Sequence, residues 1–214
     1  MKKNVVIWGA SGHAKVVAEI IDLNGEFEIY GFLDDINPTL KNTGFYGSRI
    51  LGGQEQLDIL IKNNISRLIF GFGNCAARLA LADLVLSKGF SLISAIHPRS
   101  IISRTVSIGI GTVIAAGAIV TSGSTIGANV IINTAATIDH DCIIEGGAHI
   151  CPGVNMAGNV HVGSGSWIGI GSVIKENVRI GRNSFIGAGS VVIHDIPDNT
   201  VAYGNPATII RGNT

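Results

Sequence analysis

The chain carries little charge and no excess of either sign. Lysine plus arginine number 15 and aspartate plus glutamate number 15 among 214 residues, so the formal net charge is zero. That balance argues against partners held by electrostatics, nucleic acid or an anionic membrane surface, and favours a small ligand. Cysteine is scarce. Cys75, Cys142 and Cys151 are odd in number, widely spread and without C-x-x-C spacing, which argues against a disulfide framework and reads as reduced thiols of a cytoplasmic protein. Long apolar runs are also missing. No stretch approaches the ~18 residues of a membrane span, and the run NVVIW near the start ends at Gly-Ala-Ser-Gly, too soon for a signal sequence.

What is present suffices for buried cores without disulfide or metal. Composition changes near His97-Pro98, which predicts two domains, 1–96 and 97–214. In the first, apolar runs at 4–8, 28–33, 67–70 and 91–96 alternate with helical patterns over Ala14–Leu23, Glu55–Asn63 and Ala76–Ser87. That order predicts an α/β domain with a small parallel sheet, right-handed crossovers and a ligand site at the carboxyl ends of the strands.

The loops at those ends are GASGHA, LDD and GFGN. Gly9-Ala-Ser-Gly12 follows a strand and opens a helix, so its amides could receive a phosphate or a base. It is not a full G-x-G-x-x-G. Asp34-Asp35 follows about 20 residues later, as in sites that grip a ribose. The plain alternative is a tight turn and a solvated loop.

After residue 96 the helical pattern vanishes and a period of six appears. Every sixth residue from Ile96 to Val192 is aliphatic, Ile126, Ile144, Met156 and Ile168 among them. Two residues before each stands a small or slender one, such as Thr112, Ser124, Cys142 or Ser166. Short strands joined by tight turns satisfy this period: each turn swings the chain to the next face of a triangular prism, and residues 18 apart stack. The aliphatic points inward, the small residue fits a corner, and Gly109, Gly127, Gly163, Gly169, Gly181 and Gly187 are expected to make the turns.

Within that array, TIDHDCIIEGGAHICPG at 137–153 concentrates ionisable groups. The register puts His140 and Asp141 at an outward corner, with Gly158 stacked on His140 and Asn159, Asn177 and Asp195 in line with Asp141. An imidazole beside a carboxylate suits a general base, with Asp141 its partner and Asp139 the second choice. A solvated corner is the competing reading. His161 and His194 have no neighbouring acid pair, and His140, His149, His161 and Cys151 match no familiar metal spacing, so no metal is expected.

The hexapeptide array resembles that of left-handed β-helix acyltransferases. With GASGHA, FLDD and the closing VAYGNPA, nearly the whole chain resembles the bacterial sugar acetyltransferases that join a nucleotide-sugar domain to a β-helix. That group includes N-acetyltransferases of nucleotide-linked 4-amino-6-deoxysugars, of bacillosamine and perosamine type, and sialic acid O-acetyltransferases. The resemblance implies a left-handed β-helix after the α/β domain and acetyl-CoA as co-substrate. It assigns His140 as base and Asp141 as its orienting partner. It puts His149, Gly158, Ile170 and Gly204 at acetyl-CoA, with the Gly158 amide as oxyanion donor. It puts Gly9, Ser11, Gly12, His13, Asp34, Asp35, Gly73 and Asn74 around the nucleotide-sugar. It further implies a homotrimer with acetyl-CoA between subunits. Transfer to a sugar hydroxyl, a non-catalytic β-helix binding protein and an NAD-dependent enzyme are the competing functions. The last is weakened because residues 97–194 offer no conventional substrate domain for hydride transfer.

Overall fold

The computed structural model describes residues 2–213, which divide into two units between Pro98 and Arg99. The first unit contains, in chain order, β1 (Lys3–Trp8), α1 (Gly12–Asn24), β2 (Phe27–Leu33), β3 (Gly44–Phe45), β4 (Ser48–Gly52), α2 (Leu57–Lys62), β5 (Arg67–Phe70), α3 (Cys75–Ser87) and β6 (Ser91–Leu92). The sheet order is β3-β4-β2-β1-β5-β6, parallel from β4 to β6 with β3 antiparallel at the edge. The central strands are covered on both faces, and Val5, Val6, Ile7, Leu68 and Ile69 are fully buried. Such continuous apolar strands are the mark of a parallel sheet under helices. The chain leaves β1 towards β2 on one side and reaches β5 on the other, so the strand order reverses at β1 and opens a crevice above its carboxyl end.

Three details depart from the sequence reading. The β3–β4 hairpin was not anticipated; its turn holds Tyr46 at φ 43° and Gly47 at φ 71°, two positive values that Asn-Gly usually signals. The helix expected over Glu55–Asn63 begins as a 3-10 turn, Gln54–Gln56, before α2. The run 91–96 breaks into Ser91–Leu92 and Ala95–Ile96.

In the second unit, two-residue strands wind through three parallel sheets. One face carries Ile101–Ile102 to Val191–Val192, the next Ser107–Ile108 to Arg179–Ile180, and the third Val113–Ile114 to Phe185–Ile186. Strands 18 residues apart pair, Ile126 with Ile144 and Ile144 with Val162. The sixth-residue aliphatics fill the prism: Ile126, Ile138, Ile144, Ile150, Ile168 and Ile186 are at most 1% exposed. The small residues are inside as well, where Ser124, Ser166 and Ser172 donate their hydroxyls to the carbonyls of Asp139, Gly181 and Gly187. A hydroxyl in this slot removes an orphan carbonyl from the dry interior.

The turn assignment is corrected. The left-handed residues are a different set, at every sixth position, among them Gly111, Gly117, Gly123, Asn129, Ala135, Asp141, Gly147, Gly153 and Asn159. Asn and Asp tolerate this region better than other side chains. The glycines expected to make the turns instead permit close stacking of coils. A Cβ on Gly127 would lie 2.6 Å from the Gly146 nitrogen, and one on Gly169 would lie 2.5 Å from the Ile186 oxygen. The C-terminal tail forms a hairpin, Thr200–Gly204 with Ala207–Gly212, joined through a cis Asn205–Pro206 bond.

Candidate active site

His140 and Asp141 form the two-residue turn between the strands Thr137–Ile138 and Ile143–Ile144, the corner between the first two faces. Asp141 takes the left-handed position at φ 58°. Its Oδ2 lies 2.8 Å from His140 Nδ1. A carboxylate only accepts, so Nδ1 carries the hydrogen and, in the neutral ring, Nε2 keeps the lone pair a base requires. The ring lies over Gly158 of the next coil: a Cβ there would come 2.5 Å from Nε2 and 2.6 Å from Cε1.

Asp139 serves the backbone of the same corner. Its Oδ1 accepts from the His140 amide at 2.8 Å and from Thr121 Oγ1, one coil earlier, at 3.0 Å. The His140 amide and then the Thr121 hydroxyl hold the Asp139 carboxyl below its ordinary value. The imidazole is raised above its ordinary 6.5 by its hydrogen bond to Asp141, and next by the charge of Asp139. Asn159 donates its amide to the His140 carbonyl at 2.8 Å, and its side chain donates to Asn177 at 2.7 Å, continuing the corner ladder. Cys142 sits beneath, fully buried, with Sγ 3.3 Å from the Ala157 carbonyl.

His149 belongs to the third face, in the strand His149–Ile150 paired with Ile131 and Trp167. In a triangular prism that face lies opposite the corner of His140, so a single chain does not bring the two histidines together. Instead His149 and Ile170 line a groove of about 350 Å³ with Asn133, Trp167 and Phe185. The imidazole packs on Trp167 with centroids 4.2 Å apart, Trp167 stacks on Phe185 at 6.1 Å, and His149 Nε2 lies 3.2 Å from Asn133 Nδ2. Gly158 does not line this groove, and neither does Gly204, whose amide donates to Ser190 Oγ at 3.3 Å.

His161 has an acid after all. Glu145 Oε1 lies 2.6 Å from its Nε2, and Arg179 Nη1 lies 2.7 Å from its Nδ1. A guanidinium only donates, so Nε2 carries the hydrogen that Glu145 accepts. Burial opposes the Glu145 charge, yet hydrogen bonds from His161 and the Ser164 amide hold its carboxyl below the ordinary value.

In the first unit a cleft of about 330 Å³ opens above β1, where the strand order reverses. Of the residues singled out by sequence, Gly9, Ser11, Asp34, Asp35 and Asn74 line it, together with Trp8, Leu33, Asn37, Phe72 and Leu81. Gly12, His13 and Gly73 do not. Both acids are engaged by the protein. Asp34 accepts from the Ile36 and Asn37 amides at 2.8 and 3.2 Å and from Asn37 Nδ2 at 3.2 Å. Asp35 accepts from the Trp8 indole and the Gln54 amide, each at 2.7 Å. Each carboxylate oxygen has two lone pairs, so Asp35 retains capacity for a ligand hydroxyl or base N–H. His13 is pushed down to about 4 by burial and by the charge of Arg78. Arg78 escaped the sequence reading, although the α3 stripe Cys75, Arg78, Ala82, Val85 at helical spacing could have pointed to it.

No helix among the described residues is long and apolar enough to cross a membrane. An α/β unit with a cleft at its switch point, joined to a hexapeptide β-helix with a histidine–carboxylate corner, defines the class of hexapeptide acyltransferases. Residues 4–85 match the PglD N-terminal domain family, and residues 159–194 match the bacterial transferase hexapeptide family of six repeats. A histidine-to-asparagine variant of perosamine N-acetyltransferase from Caulobacter crescentus, in complex with CoA and GDP-perosamine, is 36% identical with a TM-score of 0.93, over 97% of each chain. The acetyltransferase domain of PglB from Neisseria gonorrhoeae, in complex with acetyl coenzyme A, is 35% identical with a TM-score of 0.91, over 98% of this chain and 100% of that one. UDP-N-acetylbacillosamine N-acetyltransferase of Bacillus subtilis is 37% identical over 116 residues, so the match spans about half of that relative, 52%, and 53% of this chain. The chain belongs to the acetyl-CoA-dependent, left-handed β-helix sugar acetyltransferases, in the group of bacillosamine and perosamine N-acetyltransferases. That membership displaces the non-catalytic reading.

Proposed function

We propose that this protein transfers the acetyl group of acetyl-CoA directly to the 4-amino group of a nucleotide-linked 4-amino-4,6-dideoxysugar, with His140 as general base. The observation that carries this reading is the His140 ring, held at Nδ1 by Asp141, with Nε2 over Gly158 at an exposed corner. The sugar amine attacks the thioester carbonyl, Nε2 takes the amine proton, and CoA leaves as the tetrahedral intermediate collapses. The Gly158 amide donates to the developing oxyanion. The cleft of the first unit receives the nucleotide: its apolar wall suits a base, Asp35 a hydroxyl or N–H, and the start of α1 a phosphate. The reading is tested by assaying acetylation of UDP-, GDP- and dTDP-linked 4-amino-4,6-dideoxyhexoses beside their 4-hydroxy analogues and free sialic acid. Acetylation of the hydroxyl acceptors alone would sink it.

The pH dependence follows from the raised imidazole. The base acts when neutral, so kcat/KM is expected to climb with pH through a midpoint above the ordinary 6.5 of histidine and then level off. Asp141→Asn removes the first cause of that shift and should move the midpoint to lower pH, while losing less rate than removal of the ring. Since the substrate amine is common to both enzymes, the displacement between the two profiles isolates the histidine. Coincident profiles would remove Asp141 from the site.

Gly158 offers a second check. Its backbone is outside the left-handed region, so alanine is conformationally acceptable there, but the new Cβ would meet the imidazole. Displacing the ring by about 1 Å is expected to lower kcat by ~10²-fold with folding unchanged. Steady-state rates and circular dichroism of Gly158→Ala read both quantities.

The placement of His140 on a corner and His149 on the opposite face supports a site completed by a neighbouring copy, hence a homotrimer with three shared sites. Light scattering tests the assembly. Mixing inactive His140→Ala and His149→Ala subunits tests the sharing, since mixed trimers regain intact sites only if the two residues come from different chains.

A further inference from the structure

Four residues of α3 face the core of the first unit, Cys75, Arg78, Ala82 and Val85, and one of them is an arginine with only 1% of its surface exposed. A guanidinium taken out of water must donate its N–H groups into the protein. Arg78 Nη1 donates to the Gly73 carbonyl at 2.5 Å and more weakly to the Phe72 carbonyl at 3.4 Å, while Nη2 faces Cys75 Sγ at 3.8 Å. Burial pushes the Cys75 thiol up, so that sulfur stays uncharged.

Both carbonyls belong to the loop between β5 and α3, and Cys75 is the first residue of α3. Phe72 and Asn74, on either side of Gly73, line the cleft, whereas Arg78 does not. Asn74 is fixed in turn as the cap of α3, accepting from the Ala77 amide at 2.9 Å. The loop is therefore tied from below by a cation and at its end by a cap. The same cation is felt at His13, the second residue of α1. Its charge thus acts at the starts of both helices that open onto the cleft, where backbone amides already favour an anion.

We propose that Arg78 is a positioning residue for the nucleotide-sugar: it holds Phe72, Gly73 and Asn74 as one wall of the cleft and makes that end of it electropositive towards the diphosphate. The inference rests on the proposed role of the cleft. Lysine keeps the charge but has a single nitrogen, so it cannot place one donor at the loop carbonyls and another at Cys75 Sγ as Nη1 and Nη2 do; methionine keeps the length and loses the charge and every donor.

The test titrates wild type, Arg78→Lys and Arg78→Met with UDP-, GDP- and dTDP-linked 4-amino-4,6-dideoxyhexoses, and with CoA as a control on the second unit. For the sugar nucleotide that binds wild type most tightly, Kd is expected to rise ~10-fold or more in Arg78→Met and ~3-fold or more in Arg78→Lys, the scale of a lost charged hydrogen bond. CoA affinity should stay unchanged, and KM for the sugar nucleotide should rise more than kcat falls. A folded Arg78→Met protein with unchanged sugar-nucleotide affinity overturns the inference, as does a parallel loss of CoA binding. Should the methionine variant fail to fold, unchanged affinity in Arg78→Lys has the same force. If wild type binds none of the three sugar nucleotides, the role of the cleft fails and takes the inference with it; if wild type and both variants bind alike, only the inference fails.

Discussion

His140→Ala is expected to lower kcat by ~10²–10⁴-fold while leaving acetyl-CoA affinity close to that of wild type, the signature of a lost general base. The size follows from the geometry. Nε2 faces outward over Gly158 with its lone pair set by the Nδ1–H bond to Asp141, so the ring contributes to proton removal and little to the core. The side chain is 59% exposed, and its partner 66%, so stability should be largely unaffected. The alternative chemistry, an acetyl-enzyme on cysteine, has poor candidates. Cys142 is fully buried and Cys151 is 4% exposed, and burial pushes the Cys142 thiol up, away from the reactive thiolate. Cys142→Ala and Cys151→Ala should therefore keep near wild-type rates. Steady-state kinetics with both substrates varied, and mass spectrometry of the enzyme after exposure to acetyl-CoA alone, decide the matter. An undiminished kcat in His140→Ala, or a covalent acetyl group trapped on either cysteine, would overturn the mechanism.

Ile144→Asp, Ile126→Asp and Ile168→Asp are each expected to prevent folding of the β-helix. These residues are at most 1% exposed and stack on aliphatics of the coils on either side. The prism is narrow, and its interior polar atoms are serine and threonine hydroxyls already matched to carbonyls. A carboxylate there would be buried with no cation to meet it. The cost, on the order of 5 kcal/mol or more, is comparable with the whole stability of an ordinary domain. Ile144→Val, which removes one methyl group, should cost only about 1 kcal/mol and fold normally. Soluble expression and urea unfolding followed by circular dichroism compare the two substitutions. Cooperative, soluble aspartate variants at all three positions would refute the inward register.

The parts of the site that were legible in the sequence are those that obey its period. Because coils repeat every 18 residues, arithmetic alone placed Gly158 against His140 and put Asn159 in line with Asn177. The pairing of His161 with Glu145 was not legible in the same way. It joins residues 16 apart across neighbouring coils, and a search for adjacent acids along the chain passes over it. In the first unit, the loops GASGHA and LDD announced the end of the sheet where the cleft lies. They did not announce that Asp35 would be engaged in holding the loops themselves, because that depends on where the Trp8 indole and the Gln54 amide arrive.

By itself the sequence determined the β-helix and its inward residues, since an aliphatic at every sixth position fits short strands turned onto three faces and buries the same side chain on every strand; the hand of the winding came from the family resemblance and not from the period. It equally determined the alternation of strand and helix before residue 96, which demands parallel crossovers. Tertiary structure decided what a single letter leaves ambiguous. Gly111 and Gly127 read alike, yet the first supplies a positive φ and the second makes room for the backbone of the next coil. His140 and His149 read as one polar cluster nine residues apart, yet half a coil of the prism separates them onto a corner and the opposite face. Arg78, which the sequence reading passed over, lies in the buried stripe of α3. In each case the deciding quantity is a dihedral angle or a distance to a residue remote in sequence, and composition and period are blind to both.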